Sequence, residues 1–154
     1  MANNNYFSRN NLHKNNFELN EKKVLDFIIT NNKVTFLDIA KGLNIKPFRN
    51  KELTKILQNL LKLNKIECNQ FEKYYALTFI QTIENNISIT TKRFGFLDFE
   101  NSASKKCSAF LPAPSLINIL DNDLVKVNIY SYKDENNKIF YKANILEIIK
   151  QNHN

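Results

Sequence analysis

The 154-residue sequence is poor in the residue types that most often carry chemistry: two glycines, three prolines, two cysteines and two histidines. So few glycines leave no Gly-rich phosphate loop, and their scarcity beside abundant Asn and Lys reads first as compositional drift of the source genome. Cys68 and Cys107 stand far apart with no second thiol or histidine near either. That argues against a zinc site or a disulfide framework and for reduced cytosolic thiols. His13 and His153 fall in polar tails, poor places for a preorganised general base. There is no run of about 18 apolar residues to cross a membrane. The opening "MANNNYFSRNNLHKNNFELN" has no apolar stretch of the kind a secretory signal needs and reads as a flexible leader. No nucleophile is paired with a base, and no carboxylates cluster at metal spacing. Asp121 and Asp123 fit a turn and a strand start better than a magnesium site. These absences point away from catalysis, cofactors and membranes, and toward a cytoplasmic binding protein.

What is present is a core and a charge. Hydrophobic residues at 43% and aromatics at 12% suffice for packed domains. The net charge of +7 suits a polyanionic partner and is unevenly spread. Through residue 81 there are 13 Lys/Arg against 7 Asp/Glu; beyond it there are 9 against 8. Duplex binding depends on phosphate neutralisation, so only the first half is charged for it. The near-neutral second half has to rely on stacking, which supplies ~1–3 kcal/mol per base.

The first half has helical spacing. "NEKKVLDFIIT" sets Val24, Leu25, Phe27, Ile28 and Ile29 on a broad stripe behind Asn20, an N-cap residue. "TFLDIAKGLN" opens with Thr35 and Asp38 at capping-box spacing, and Gly42 reads as its stop. Pro47 is expected to open a longer helix at its first turn. There Leu53, Ile56, Leu57, Leu60 and Leu61 recur with the period of an amphipathic helix. "KIECNQFEKYYALTF" then reads as two short strands around Asn69 and Gln70, with Tyr74 and Tyr75 packing the hairpin on the helices. Three helices and a hairpin are the order of a winged helix-turn-helix, expected over residues 20–81 after a leader of 1–19.

The second half changes to strands: "NISITTK", "RFGFLDF", "CSAFLP", "DLVKVNIYSY" and "KIFYKANILEII", the last two joined at "KDENN". A helical turn is expected around Pro114. The fold class is therefore α+β in two small domains, the second a five-stranded antiparallel oligonucleotide-binding barrel over 85–150, followed by a tail of 151–154. Within "TKRFGFLDF", strand alternation puts Lys92, Phe94, Phe96 and Asp98 on one face and Arg93, Gly95, Leu97 and Phe99 on the other. The second face can be buried. The first is bracketed by charges, and two aromatic rings on a wet face call for something that stacks on them.

"KRFGFLDF" is similar to the first ribonucleoprotein motif of cold-shock domains, and "AFLP" stands where their second motif is expected. With the preceding helices and "YYAL", the order resembles the N-terminal region of bacterial ribonuclease R over residues 20–150. That resemblance implies a single-stranded RNA-binding module of a 3′-to-5′ exoribonuclease. It implies stacking on Phe94, Phe96 and Phe110, with Lys92 against the backbone. The family's second cold-shock domain, magnesium-dependent catalytic domain and S1 domain are not in this sequence, so it implies no catalytic residue and no metal here. Arg93 and Pro112 depart from the family's glycine and histidine. Asn122 replaces a turn glycine but tolerates the left-handed conformation. Arg93, Lys105 and Lys106 join the expected RNA contacts. Lys51, Lys55, Gln58 and Lys62 are candidate contacts on the long helix, with a solvated helix face as the alternative. The competing readings are a transcription regulator holding duplex DNA, which predicts dimers where the module predicts a monomer, and a protein-interaction module.

Overall fold

Local capping signals, rather than helix propensity alone, set the first elements. The computed structural model describes residues 18–151; most of the Asn-rich leader, His13, His153 and the last three residues lie outside the described residues. Helix α1 (Glu21–Asn31) starts where the Asn20 side chain accepts the Lys23 N–H at 2.9 Å. Helix α2 (Phe36–Gly42) starts with a complete capping box. Thr35 Oγ1 accepts the Asp38 N–H at 3.1 Å, and the Asp38 carboxylate accepts the Thr35 N–H at 3.0 Å. The bond from the Thr35 backbone does most to hold that carboxyl below its usual pKa range.

Gly42 closes α2 for a reason of space. A Cβ there would overlap the Phe27 ring, whereas the left-handed residue after the helix is Asn44, at φ 56°. Pro47 opens a 3-10 turn (Pro47–Arg49) that leads into helix α3 (Asn50–Lys62), so the proline precedes the long helix instead of starting it. Helix α3 buries Leu53, Leu57 and Leu60 against Val24 and Ile28 of α1 and Ile39 of α2.

A hairpin of β1 (Ile66–Cys68) and β2 (Tyr74–Ala76) completes this unit. Tyr74 exchanges backbone hydrogen bonds with Val34 and packs on the helical core. Tyr75 faces the other way, where its hydroxyl donates to Glu67 at 2.7 Å and the Lys33 ammonium lies over its ring. Both tyrosines are thus held in place, Tyr74 against the helical core and Tyr75, 7% exposed, by Glu67 and Lys33.

The chain divides into two compact units, one ending at Ala76 and the other beginning at Leu77. The second contains β3 (Thr78–Asn86), β4 (Ser88–Ile89), β5 (Gly95–Glu100), β6 (Lys106–Leu111), β7 (Leu124–Lys133) and β8 (Ile139–Lys150), with a 3-10 turn at Ala113–Leu116. These strands form one sheet in the order β3-β7-β8-β6-β5-β4.

The protein is α+β: among the described residues it has three α-helices and eight strands in two sheets. The expected closed, five-stranded, wholly antiparallel barrel needs correction. The ladder is open and has six strands, and β6 meets β8 in parallel at Phe110 and Lys142. β8 has its antiparallel hairpin partner β7 on one side and the parallel strand β6 on the other. The extra strand comes from residues 78–86, part of which was expected to link two domains. Their polar pattern belongs to an edge strand with mostly exposed side chains and a bulge at Ile80. β3 and β4 stand at opposite edges of the sheet but are one chain segment, separated by the fully buried Ile87 alone. The core of this unit is Ile87, Leu97, Leu111, Leu116, Val125, Val127, Ile129 and Ala143, each almost wholly buried.

Candidate nucleic-acid interface

Strand β5 alternates strictly. Gly95, Leu97 and Phe99 are buried, while Phe96, Asp98 and Glu100 are exposed. The buried side is tight: a Cβ on Gly95 would come within 3.0 Å of Ile87 and 3.1 Å of Leu111 and Leu116. With the core face filled, Phe94 and Phe96 are left outward, 40% and 38% exposed. Phe96 pairs directly with Phe110 on β6. The Phe110 ring lies 5.7 Å from that of Phe94 and 5.8 Å from that of Phe96, so the three rings form one cluster. The three residues named from the sequence meet on one solvent-facing surface.

The basic residues around them divide. Lys92 and Arg93 do not continue the strand as alternation suggested; they lie exposed in the β4–β5 turn. That turn is closed by Thr90, whose N–H donates to the Phe94 carbonyl and whose carbonyl accepts from Arg93. Arg93 takes the left-handed conformation at φ 66°, the position where a glycine is favoured. Both cations thus sit directly before the ring cluster. Lys105 is in the turn at the other end of the β5–β6 hairpin, and Lys106 pairs with Glu100. Four strand steps separate that pair from Phe96 and Phe110, roughly 14 Å. The structure does not bring Lys105 and Lys106 to the rings.

Further rings and cations that sequence reasoning did not single out share this surface. A groove of about 410 Å³ is lined by Phe96, Ser108 and Phe110 on one side and by Tyr132, Lys138 and Phe140 on the other. Tyr132 and Phe140 are stacked at 5.8 Å, with the Lys138 ammonium 5.4 Å from the Phe140 centroid. Burial pushes the Tyr132 phenol up. Lys142, beside Phe110 in the ladder, is only 9% exposed, and desolvation lowers its pKa. The signal that could have found these residues was the "YSY" and "IFY" spacing in the two long strands, but which face each ring took depended on register.

Asp121 and Asp123 act as turn residues. Asp121 accepts the Ile89 N–H at 2.8 Å, and the buried Asp123 carboxylate accepts the Leu120 N–H at 2.9 Å. Asn122 between them holds φ 73°, as a residue standing in for a turn glycine must.

In the helical unit Lys51, Lys55, Gln58 and Lys62 are all exposed and run down α3 as one stripe. Asn59 faces elsewhere, donating to Glu21 of α1. Glu52 on the same helix is engaged by Arg49 at 2.8 Å, which removes one local negative charge from competition. Pro112 carries no ring onto the groove; its carbonyl accepts from Ser115 at the start of the 3-10 turn. No family model matches the chain, and no curated protein matches it.

Proposed function

We propose that the protein binds single-stranded RNA by stacking bases on Phe94, Phe96 and Phe110. The observation that carries this reading is the cluster itself: the Phe94 and Phe96 rings each lie within 6 Å of Phe110, on the solvent-facing side of a strand pair whose opposite face is full. Exposed rings flanked by Lys92 and Arg93 suit a ligand that offers flat π-faces joined by phosphates. Near-neutral charge in this unit supports stacking over bulk electrostatics as the source of affinity.

The reading includes a winged helix-turn-helix followed by an oligonucleotide-binding fold of cold-shock type. In its support, the two edge strands of the six-stranded sheet are halves of one segment broken at Ile87, as in a small sheet curled back toward itself. On the "KRFGFLDF" and "AFLP" motifs, the module serves a ribonuclease R-like 3′-to-5′ exoribonuclease in the cytoplasm. It supplies substrate capture, not cleavage.

A second reading is favoured by one observation, the Lys51–Lys55–Gln58–Lys62 stripe on the unit with the excess charge. It assigns α3 to a duplex groove. The direct test of stacking is a Phe94→Ala, Phe96→Ala, Phe110→Ala variant checked for folding by circular dichroism. Its single-stranded RNA affinity is expected to fall about 100-fold or more, from ~1–3 kcal/mol per lost stack. Unchanged affinity in the folded variant would end the stacking claim.

A further inference from the structure

We infer that the groove between the Phe96–Phe110 edge and the Tyr132–Phe140 stack is a second nucleotide subsite, taking one further nucleotide of the same single strand. The inference rests on the RNA reading above and extends it to residues that no motif marks.

Three features argue for a nucleotide as the occupant. Both walls are aromatic, and Ser108 is small where the face would otherwise carry a bulky side chain, so a flat ring system finds π-faces on two sides. Lys138 stands exposed at the Phe140 ring. A nucleotide brings a base to the rings and a phosphate to that ammonium, a pairing an aliphatic peptide does not offer. The groove is also continuous with the Phe94–Phe96–Phe110 cluster, since Phe96 and Phe110 belong to both. A strand leaving that cluster toward β8 therefore meets Phe140 next, and the binding path crosses β5, β6, β8 and β7. Asp98 pairs with Ser108 across the β5–β6 ladder and places a carboxylate on this face. It disfavours a phosphate there and leaves the Lys138 end for the backbone.

Anisotropy titrations of a labelled, mixed-sequence single-stranded RNA of about 12 nucleotides, inside the range one such fold covers, provide the test. Tyr132→Ala with Phe140→Ala is expected to weaken binding about 5- to 100-fold. Two gentler variants guard against loss of folding. Phe140→Leu keeps apolar bulk but removes the π-face, and is expected to weaken binding about fivefold. Lys138→Glu is exposed and is expected to weaken binding and flatten its salt dependence. If Phe94→Ala with Phe96→Ala weakens binding while Phe140→Leu and Lys138→Glu do not, the second subsite is wrong and the primary reading stands. If none of these variants changes RNA binding, both fail.

Discussion

Arg93 and Gly95 show how individual positions divide the work. The backbone at Arg93 is left-handed, so a side chain there is strained, yet this arginine stands next to the ring cluster. Arg93→Gly is predicted to stabilise the protein by about 0.5–1 kcal/mol, the left-handed penalty less the extra chain entropy of glycine. It should at the same time weaken RNA binding and reduce its salt dependence, read by thermal melts beside anisotropy. Gly95 has no unusual φ and is instead required by space, with three core atoms crowding any Cβ. Gly95→Ala is predicted to destabilise by about 1–2 kcal/mol through overpacking. Lys142 adds a pH dependence. Its folded pKa lies below the ordinary lysine value, so the folded form binds fewer protons than the unfolded chain between those two values. Stability therefore rises with pH through that window, and the cost of burying the charge is felt in full below it. Urea titrations of wild type beside Lys142→Met across pH read this out. Wild type should gain on the variant as pH rises toward 10; a gap independent of pH would refute the assignment.

At the scale of elements, a glycine-poor chain has closed four hairpins with one device. Asn69, Thr90, Asn101 and Asp134 each begin a five-residue turn in which the side chain accepts backbone N–H groups ahead of it. The fourth residue of each turn is left-handed: Glu72, Arg93, Ser104 and Asn137, none of them glycine. Asx and hydroxyl side chains supply the hydrogen bonds that glycine-based turns leave to the backbone. This is why the turns at Asn69 and Asp134 were legible, as was the capping box at Thr35, whereas the Thr90 turn, which has no Asx residue, read as strand. Residues 78–86 were not legible as a strand because an edge strand with mostly exposed side chains has no apolar alternation to display. Phe94 and Phe96 were legible because β5 alternates without exception. Tyr132 and Phe140 were not, because they stand near the hairpin ends of β7 and β8, beyond the alternating "VKVNI", and β8 meets β6 through one non-local parallel pairing. The α3 stripe was legible apart from Asn59, which its spacing placed beside Gln58 but which donates to Glu21. Lys51→Glu with Lys55→Glu should leave single-stranded RNA affinity within about threefold, because phosphate contacts there are not where bases stack. A loss as large as that from removing the rings would put the principal RNA site on the helix.

For the whole molecule, the two units differ in the physics they can apply to nucleic acid. The unit ending at Ala76 carries +6 and an exposed basic helix face, while the unit beginning at Leu77 carries +1 and the aromatic surface. Binding by the first falls steeply with salt as counterions return to the phosphates. Binding by the second falls less steeply, since stacking is not screened and only a few cations release counterions. The charge division was readable from the sequence, but the continuity of the aromatic surface across four strands was a property of the sheet. The most direct measurement is a pair of anisotropy titrations on the wild-type protein, with labelled single-stranded RNA and a matched DNA duplex, from near-physiological salt upward. The account predicts tighter binding to the single strand, surviving added salt; preference for the duplex with a steep salt slope would contradict it.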